Sequence, residues 1–212
     1  MLFRDRREAG RKLAHRLRIY KDQNPIILAV PRGGVILGAE VAQELQAPLD
    51  LVIPRKIPAP FNEELAIGAL APDDTLILDE HLIHLLGLPH EYIEKARQAA
   101  RQEIQRRLRE YRGERPLPEL KGKTAIVVDD GIATGLTVRA AILSLKKAAR
   151  RVILAVPVAP ADVRERITEA DEIFSLITPE EFYAVGQFYQ DFAQVSDEEV
   201  KEILQRTKPA TV

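Results

Sequence analysis

The sequence predicts an α/β protein: an open, mostly parallel sheet with helices on both faces. Three observations carry that expectation. Short, nearly all-apolar runs alternate with stretches of helical period. Two of those runs end in glycine-bearing turns that open at once onto a helix, "VPRGG" and "VVDDGIATG". The 212 residues, 46% hydrophobic and 30% charged, suffice for one generous domain whose core needs no staples. In sheets of this kind ligands sit at the carboxyl ends of the strands. Both glycine turns lie at such ends.

Each element follows from its residues. "DRREAGRKLAHRLRIY" puts Ala9, Leu13, Leu17 and Tyr20 on one helical stripe among basic residues. "PIILAV" (25–30) is apolar on both faces, a buried strand, and "VILGAEVAQELQA" after its glycines has helical spacing. "LDLVIP" (49–54) is a second strand. "ELAIGAL" and "TLILD" read as paired strands joined by the turn "APDD". "DEHLIHLLG" is a short helix closing on Gly87, and a longer one runs from about His90 to Tyr111 with Ala96, Ala100, Ile104 and Leu108 in line. After the proline-bearing connector "ERPLPELKGK" come strand Thr124–Val128, helix Leu136–Ala149, strand Val152–Val156, helix Ala161–Ala170 and strand Glu172–Ile177. "SDEEVKEILQRT" is a helix with Ser196 as N-cap and Glu199 three residues on. The expectation is a single domain over 1–212. Its core spans about 24–177, with a flexible loop near 54–66, a helical insertion near 80–118 and a C-terminal segment at 178–212.

Composition narrows the function classes. There is no cysteine, hence no disulfide, thiolate metal site or cysteine nucleophile. No apolar run approaches membrane-spanning length, and "MLFRDRREAGRKL" lacks the apolar core of a signal peptide, so a cytoplasmic protein is expected. A net charge of -1 argues against a nucleic-acid footprint over the whole surface, while the stripe "RDRREAGRKLAHRLR" keeps a local basic face open. His15, His81, His84 and His90 form no metal spacing with any partner.

The informative stretch is "TAIVVDDGIATGLTVRAAI" (124–142). Adjacent carboxylates at the end of a buried strand repel each other and are costly to desolvate, so a partner from outside the chain is implied. Beyond them Gly131, Ile132, Ala133, Thr134 and Gly135 form a small-residue loop running into a helix N-terminus. Its amides, with the hydroxyls of Thr134 and Thr137, suit a monophosphate. Asp129 and Asp130 would repel that anion but suit hydrogen-bond donors such as the vicinal hydroxyls of a sugar. A lone Asp-Asp or Thr-Gly would be explained by a capped strand–helix turn. The full order of strand, acid pair, small residues and threonines argues for a ribose 5-phosphate.

"IVVDDGIATGLT" resembles the phosphoribosyl-pyrophosphate (PRPP) signature of the type I phosphoribosyltransferases, and the strand–helix order from about Asn24 to Ile177 is similar to their core. More narrowly, the whole chain looks like a poorly characterised, provisionally assigned group of phosphoribosyltransferases. The resemblance implies a small hood over the acceptor, added to the open sheet, and that Asp129 and Asp130 hold the ribose 2- and 3-hydroxyls. It also implies that Gly131, Ile132, Ala133, Thr134, Gly135 and Thr137 wrap the 5-phosphate. Arg32, Gly33 and Gly34 in "VPRGGVILG" read as an anion nest with a forked cation. They are similar to the family's pyrophosphate loop. Arg55 and Lys56, in a proline-bearing segment without apolar period, read as cations on a mobile lid that meet the pyrophosphate on closure. Mg2+ is expected to arrive on PRPP without a direct protein ligand.

The expected reaction moves ribose 5-phosphate from PRPP to a nitrogen acceptor, a nucleobase, with release of pyrophosphate. The 6-oxopurine-specific members carry a Lys and an aromatic soon after the next strand, which "VPVAPADVRERI" lacks. "FYAVGQFYQDF" (182–192) instead echoes the purine enzymes' Val-Gly-aromatic segment, with its Asp one residue late. There Tyr183, Phe188 and Tyr189 read as stacking faces for a base and Asp191 as acceptor for a ring nitrogen; packing of the C-terminal helix is the alternative. Partners expected are PRPP, the small acceptor and further copies of the chain in a homo-oligomer. A PRPP- or nucleotide-sensing regulator without transferase activity is the competing class.

Overall fold

The structure is a computed structural model that describes residues 2–113, 115 and 118–207. In chain order the elements are α1 (Arg6–Leu17), β1 (Pro25–Ala29), α2 (Gly33–Leu45), β2 (Leu49–Leu51), β3 (Arg55–Ala59), β4 (Asn62–Leu70), β5 (Leu76–Leu78) and α3 (Glu80–Leu85). There follow α4 (His90–Arg112), β6 (Thr124–Val128), α5 (Leu136–Lys146), β7 (Arg151–Val158), α6 (Val163–Arg166), β8 (Glu172–Ile177) and α7 (Asp197–Arg206).

The main sheet has the order β2-β1-β6-β7-β8, every pair parallel. The α/β class expected from the sequence is therefore observed. Strands β1 and β6 are buried at every position, which is why they read as unbroken apolar runs. Their side chains alternate between two cores. Ile27, Ala29, Ile126 and Val128 face α1 and α2. Ile26, Leu28, Ala125 and Val127 face the other way, onto Val138, Ala141 and Ile142 of α5. From β1 the chain steps outward to β2, whereas β6 continues to β7 and β8 on the opposite side. The gap between β1 and β6 is thus the topological switch point, where open α/β sheets leave a crevice for ligand. The register Ala29↔Val128 brings the two glycine turns side by side there.

A second, antiparallel sheet, β3-β4-β5, stacks on α3 and α4. Ile57, Ile67 and Leu70 from its inner face meet Ile93, Ala100 and Ile104, the helical stripe legible in the sequence. This sheet corrects the expected loop at 54–66. The segment is a hairpin turning at Pro60-Phe61, with Arg55 opposite Leu70 and Lys56 opposite Ala69. Its prolines hid it: Pro58 has no N–H for the ladder, and the register shifts on both sides of it. The helix expected over Ala161–Ala170 is a single turn, Val163–Arg166. It stops because Ile167 leaves the helical region (φ -118°, ψ 85°) to bury its side chain. Helix α7 begins as expected, with Ser196 Oγ accepting from the Glu199 N–H at 3.1 Å.

Candidate functional site

The acid pair sits directly past β6. Asp129 Oδ1 accepts from the Asp130 N–H at 2.8 Å, which folds the first carboxylate back under the loop. Helix α5 then starts from Gly135, whose φ of +84° lies in the left-handed region that a side chain would strain. No side chain caps that end, so the first-turn amides and the half-buried Thr137 are presented to whatever lies in the loop. Ala133 and Thr134 are exposed along it. Ile132 departs from the expectation for a phosphate contact. Its N–H donates to Val158 O at 3.1 Å and its side chain is buried, so it anchors the loop from beneath.

The second turn lies against the first. Gly33 and Gly34 are the opening residues of α2 and do not form a left-handed nest. Their need for glycine is one of approach. A Cβ on Gly33 would stand 2.0 Å from Asp130 Oδ2, and one on Gly34 would stand 2.6 Å from Val128 O. The two anion-binding candidates are therefore in contact, and only hydrogens fit between them. Arg32 is the N-cap of α2 after a cis Pro31–Arg32 peptide, and its Nη1 lies 3.9 Å from Asp197 Oδ1 at the start of α7.

The residue that sequence reasoning missed is Arg6. It read as one charge in a basic stripe. In the structure it is buried, and its Nε donates to Asp130 Oδ2 at 2.8 Å. Helical side chains tilt toward the N-terminus, so a long cation at the first position of α1 reaches beyond the helix end; that placement was the available signal. Much of the rest of the stripe is paired within the protein. Arg7 and Arg11 lie 3.6 and 3.8 Å from Glu40, Lys12 lies 3.1 Å from Glu8, and Arg18 pairs with Glu44.

Burial pushes the Asp129 carboxyl well above the ordinary range, and the neighbouring Asp130 charge pushes it further. Burial also raises Asp130, against the pull of the Arg6 guanidinium. The pair titrates as a unit, holding a proton to higher pH than an exposed aspartate would. An arrangement of this kind favours a ligand that donates hydrogen bonds or carries positive charge.

Arg55 and Lys56 lie on the other sheet, where with Pro58, Tyr92 and Lys95 they line a cleft of about 510 Å3 against α4. The structure thus groups them with the hairpin and not with the acid pair. The aromatic segment is also corrected. Phe188 stacks on Phe182 at 5.7 Å, and Tyr189 packs on Phe3 and Phe192; both rings are buried and offer no open face to a base. Tyr189 still reaches the site, because its hydroxyl donates to Asp130 O at 2.6 Å. Burial, then the Asp130 charge, holds that phenol far above its ordinary range. Asp191 is exposed, its Oδ1 accepting from the Ala193 N–H at 3.0 Å, and Tyr183 is exposed as well. Among the described residues no group of three or more His, Cys, Asp or Glu could hold a metal ion, and no helix is long and apolar enough to cross a membrane.

Fold and site together define an α/β domain with two adjoining glycine-bearing turns and a buried acid pair at the switch point. The phosphoribosyl transferase domain family matches residues 5–193, and the chain belongs to that family. Two curated relatives from Mycobacterium tuberculosis, provisionally named phosphoribosyl transferases, are each 42% identical over 207 residues, 97% of this chain. The chain spans about half their length (47%). A crystal structure from Thermus thermophilus superposes with a TM-score of 0.81 at 40% identity, covering 96% of this chain and 98% of that one. A hypoxanthine phosphoribosyltransferase from Staphylococcus aureus shares the fold, with a TM-score of 0.50 at 10% identity over 84% of this chain and 75% of that one.

Proposed function

We propose that the protein transfers ribose 5-phosphate from PRPP to a ring nitrogen of a nucleobase and releases pyrophosphate. One observation carries the reading: the acid pair, the loop leading to α5 and the Gly33-Gly34 start of α2 meet at the switch point of the sheet. The loop amides with Thr134 and Thr137 hold the 5-phosphate, Asp129 and Asp130 accept from the ribose hydroxyls, and Arg32 with the first turn of α2 receives the pyrophosphate. The C1–O bond to pyrophosphate breaks, a C1–N bond forms to the acceptor, and the proton of the acceptor nitrogen passes to water. As that bond breaks the ring gains positive charge, which the adjoining carboxylates favour, while Arg32 and the α2 amides meet the charge on the leaving group. Mg2+ carried on PRPP would offset the charge of the departing pyrophosphate. Arg55 and Lys56, carried on the β3–β4 sheet, supply further positive charge toward the departing pyrophosphate. With Phe188 and Tyr189 packed, the acceptor side is left to Tyr183 and Asp191.

The test is a thermal melt followed by an acceptor panel. PRPP with Mg2+ at a hundred times its dissociation constant stabilises the fold by about 2.7 kcal/mol. Ribose 5-phosphate, which leaves the Arg32 loop empty, gives a smaller shift. Purines and pyrimidines offered with PRPP then identify the acceptor by pyrophosphate release. An unmoved melt overturns the reading. A shift without release under any acceptor turns it into a PRPP sensor.

A further inference from the structure

We infer that Arg6 is a positioning residue of the ribose site: from the start of α1 it fixes the Asp130 carboxylate by its Oδ2 edge and holds the acid pair in one orientation. The inference rests on the functional reading above and extends it to a segment outside the two loops. Arg6 is held from three directions. Its Nε donates to Asp130 Oδ2 at 2.8 Å, its Nη1 donates to Ala193 O at 2.7 Å, and its guanidinium lies 3.9 Å from the Phe192 ring centroid. The two charged side chains are only 10% and 17% exposed, so water does little to screen them.

Position matters as much as charge. A Cβ at Gly33 would meet both Asp130 Oδ2 (2.0 Å) and Arg6 Nε (2.8 Å), so the ion pair sits directly beneath the start of α2. Arg6 therefore touches the diol element and lies against the pyrophosphate element together. The tail that carries Ala193 is itself tied to the N-terminal segment, with Phe3 N–H donating to Phe188 O and Gln190 N–H to Phe3 O. The charged or titratable groups facing Asp130 are Asp129 from the same loop, Arg6 from α1 and the Tyr189 hydroxyl from the tail. Of these only Arg6 is a cation. Without it the pair takes up a proton at higher pH, and its carboxylates are no longer held in one orientation.

The experiment is calorimetric titration of wild type, Arg6→Met and Arg6→Lys with PRPP–Mg2+ and with pyrophosphate–Mg2+ across the neutral pH range. In Arg6→Met, PRPP affinity falls about tenfold or more while pyrophosphate, which has no ribose, binds as before. The pH midpoint of PRPP binding moves upward, and Arg6→Lys returns it toward wild type. A purely structural arginine would lower the melting temperature and leave that midpoint unmoved. That result overturns the inference, as does an equal loss of both ligands or wild-type PRPP binding by Arg6→Met. If Arg6→Met does not fold, Arg6→Lys, which keeps the charge but loses the Nε and Nη1 contacts, decides: weaker PRPP with unchanged pyrophosphate supports the inference, and equal weakening or wild-type binding of both ligands overturns it. Wild-type protein that binds neither ligand overturns the functional reading itself.

Discussion

Two buried arginine–aspartate pairs anchor different regions of this molecule. Arg112, the last residue of α4, donates through Nε (2.8 Å) and Nη2 (2.6 Å) to Asp50 Oδ1 on β2, with side chains 6% and 16% exposed. Arg6 and Asp130 are buried almost equally, at 10% and 17%. Burial does not separate them. Stoichiometry does: one cation meets one anion at Asp50, whereas at Asp130 one cation meets two adjacent carboxylates. The first pair is satisfied and ties the helical insertion to the edge of the main sheet. The second leaves an acidic group over, and under the proposed function that remainder is what the ribose hydroxyls would meet.

The comparison is broken most directly at the satisfied pair. Arg112→Ala leaves Asp50 buried without its cation and costs about 3–5 kcal/mol of stability. PRPP affinity per folded molecule stays at the wild-type value. Chemical denaturation beside calorimetry checks both halves, and lost affinity at full folding would show that the two pairs are not separate. A smaller effect of opposite sign is expected at the acid pair. With its carboxyl raised in the folded state, Asp129 contributes stability that is full below the unfolded value near 3.8 and is lost as pH rises through the raised value. At neutral pH it is a burden. Asp129→Asn therefore gains about 1 kcal/mol at neutral and alkaline pH, a gain that vanishes in acid, while PRPP binding weakens. Denaturation curves at several pH values test the sign. A stability loss at every pH would mean that Asp129 serves folding.

The sheet and its switch point were legible because their rules are local. An apolar run buried on both faces marks a central strand, and β1, β6 and β7 appear where such runs stand. The acid pair was legible because nothing in a core explains it. The hairpin at 55–70 was not, since Pro58 interrupts its ladder and exposed Asn62 and Glu63 break its alternation. Phe188 and Tyr189 misled for a different reason. An aromatic near a ligand site carries no sign of which way its ring turns until the fold is known, and these turn inward. Arg6 was hidden by distance, its partner lying 124 residues away.

A third pair, looser than the other two, supplies the smallest expected effect. Arg32 Nη1 lies 3.9 Å from Asp197 Oδ1, and both side chains are 34% exposed. An ion pair that open contributes about 0.5 kcal/mol or less. The same Asp197 oxygen accepts from the hydroxyl of Tyr111, whose phenol burial holds well above its ordinary range, with Asp197 adding to the rise. Asp197→Asn keeps an acceptor for Tyr111 and removes only the charge that competes for Arg32. Glu198 and Glu199 still face the amino end of α7, so the helix loses little. Pyrophosphate–Mg2+ then binds about twofold tighter, the ratio that corresponds to releasing about 0.5 kcal/mol of competing interaction. Calorimetry reads it directly. Weaker pyrophosphate binding would reverse the assignment, making Asp197 a support that aims Arg32 at its ligand, as Arg6 aims Asp130.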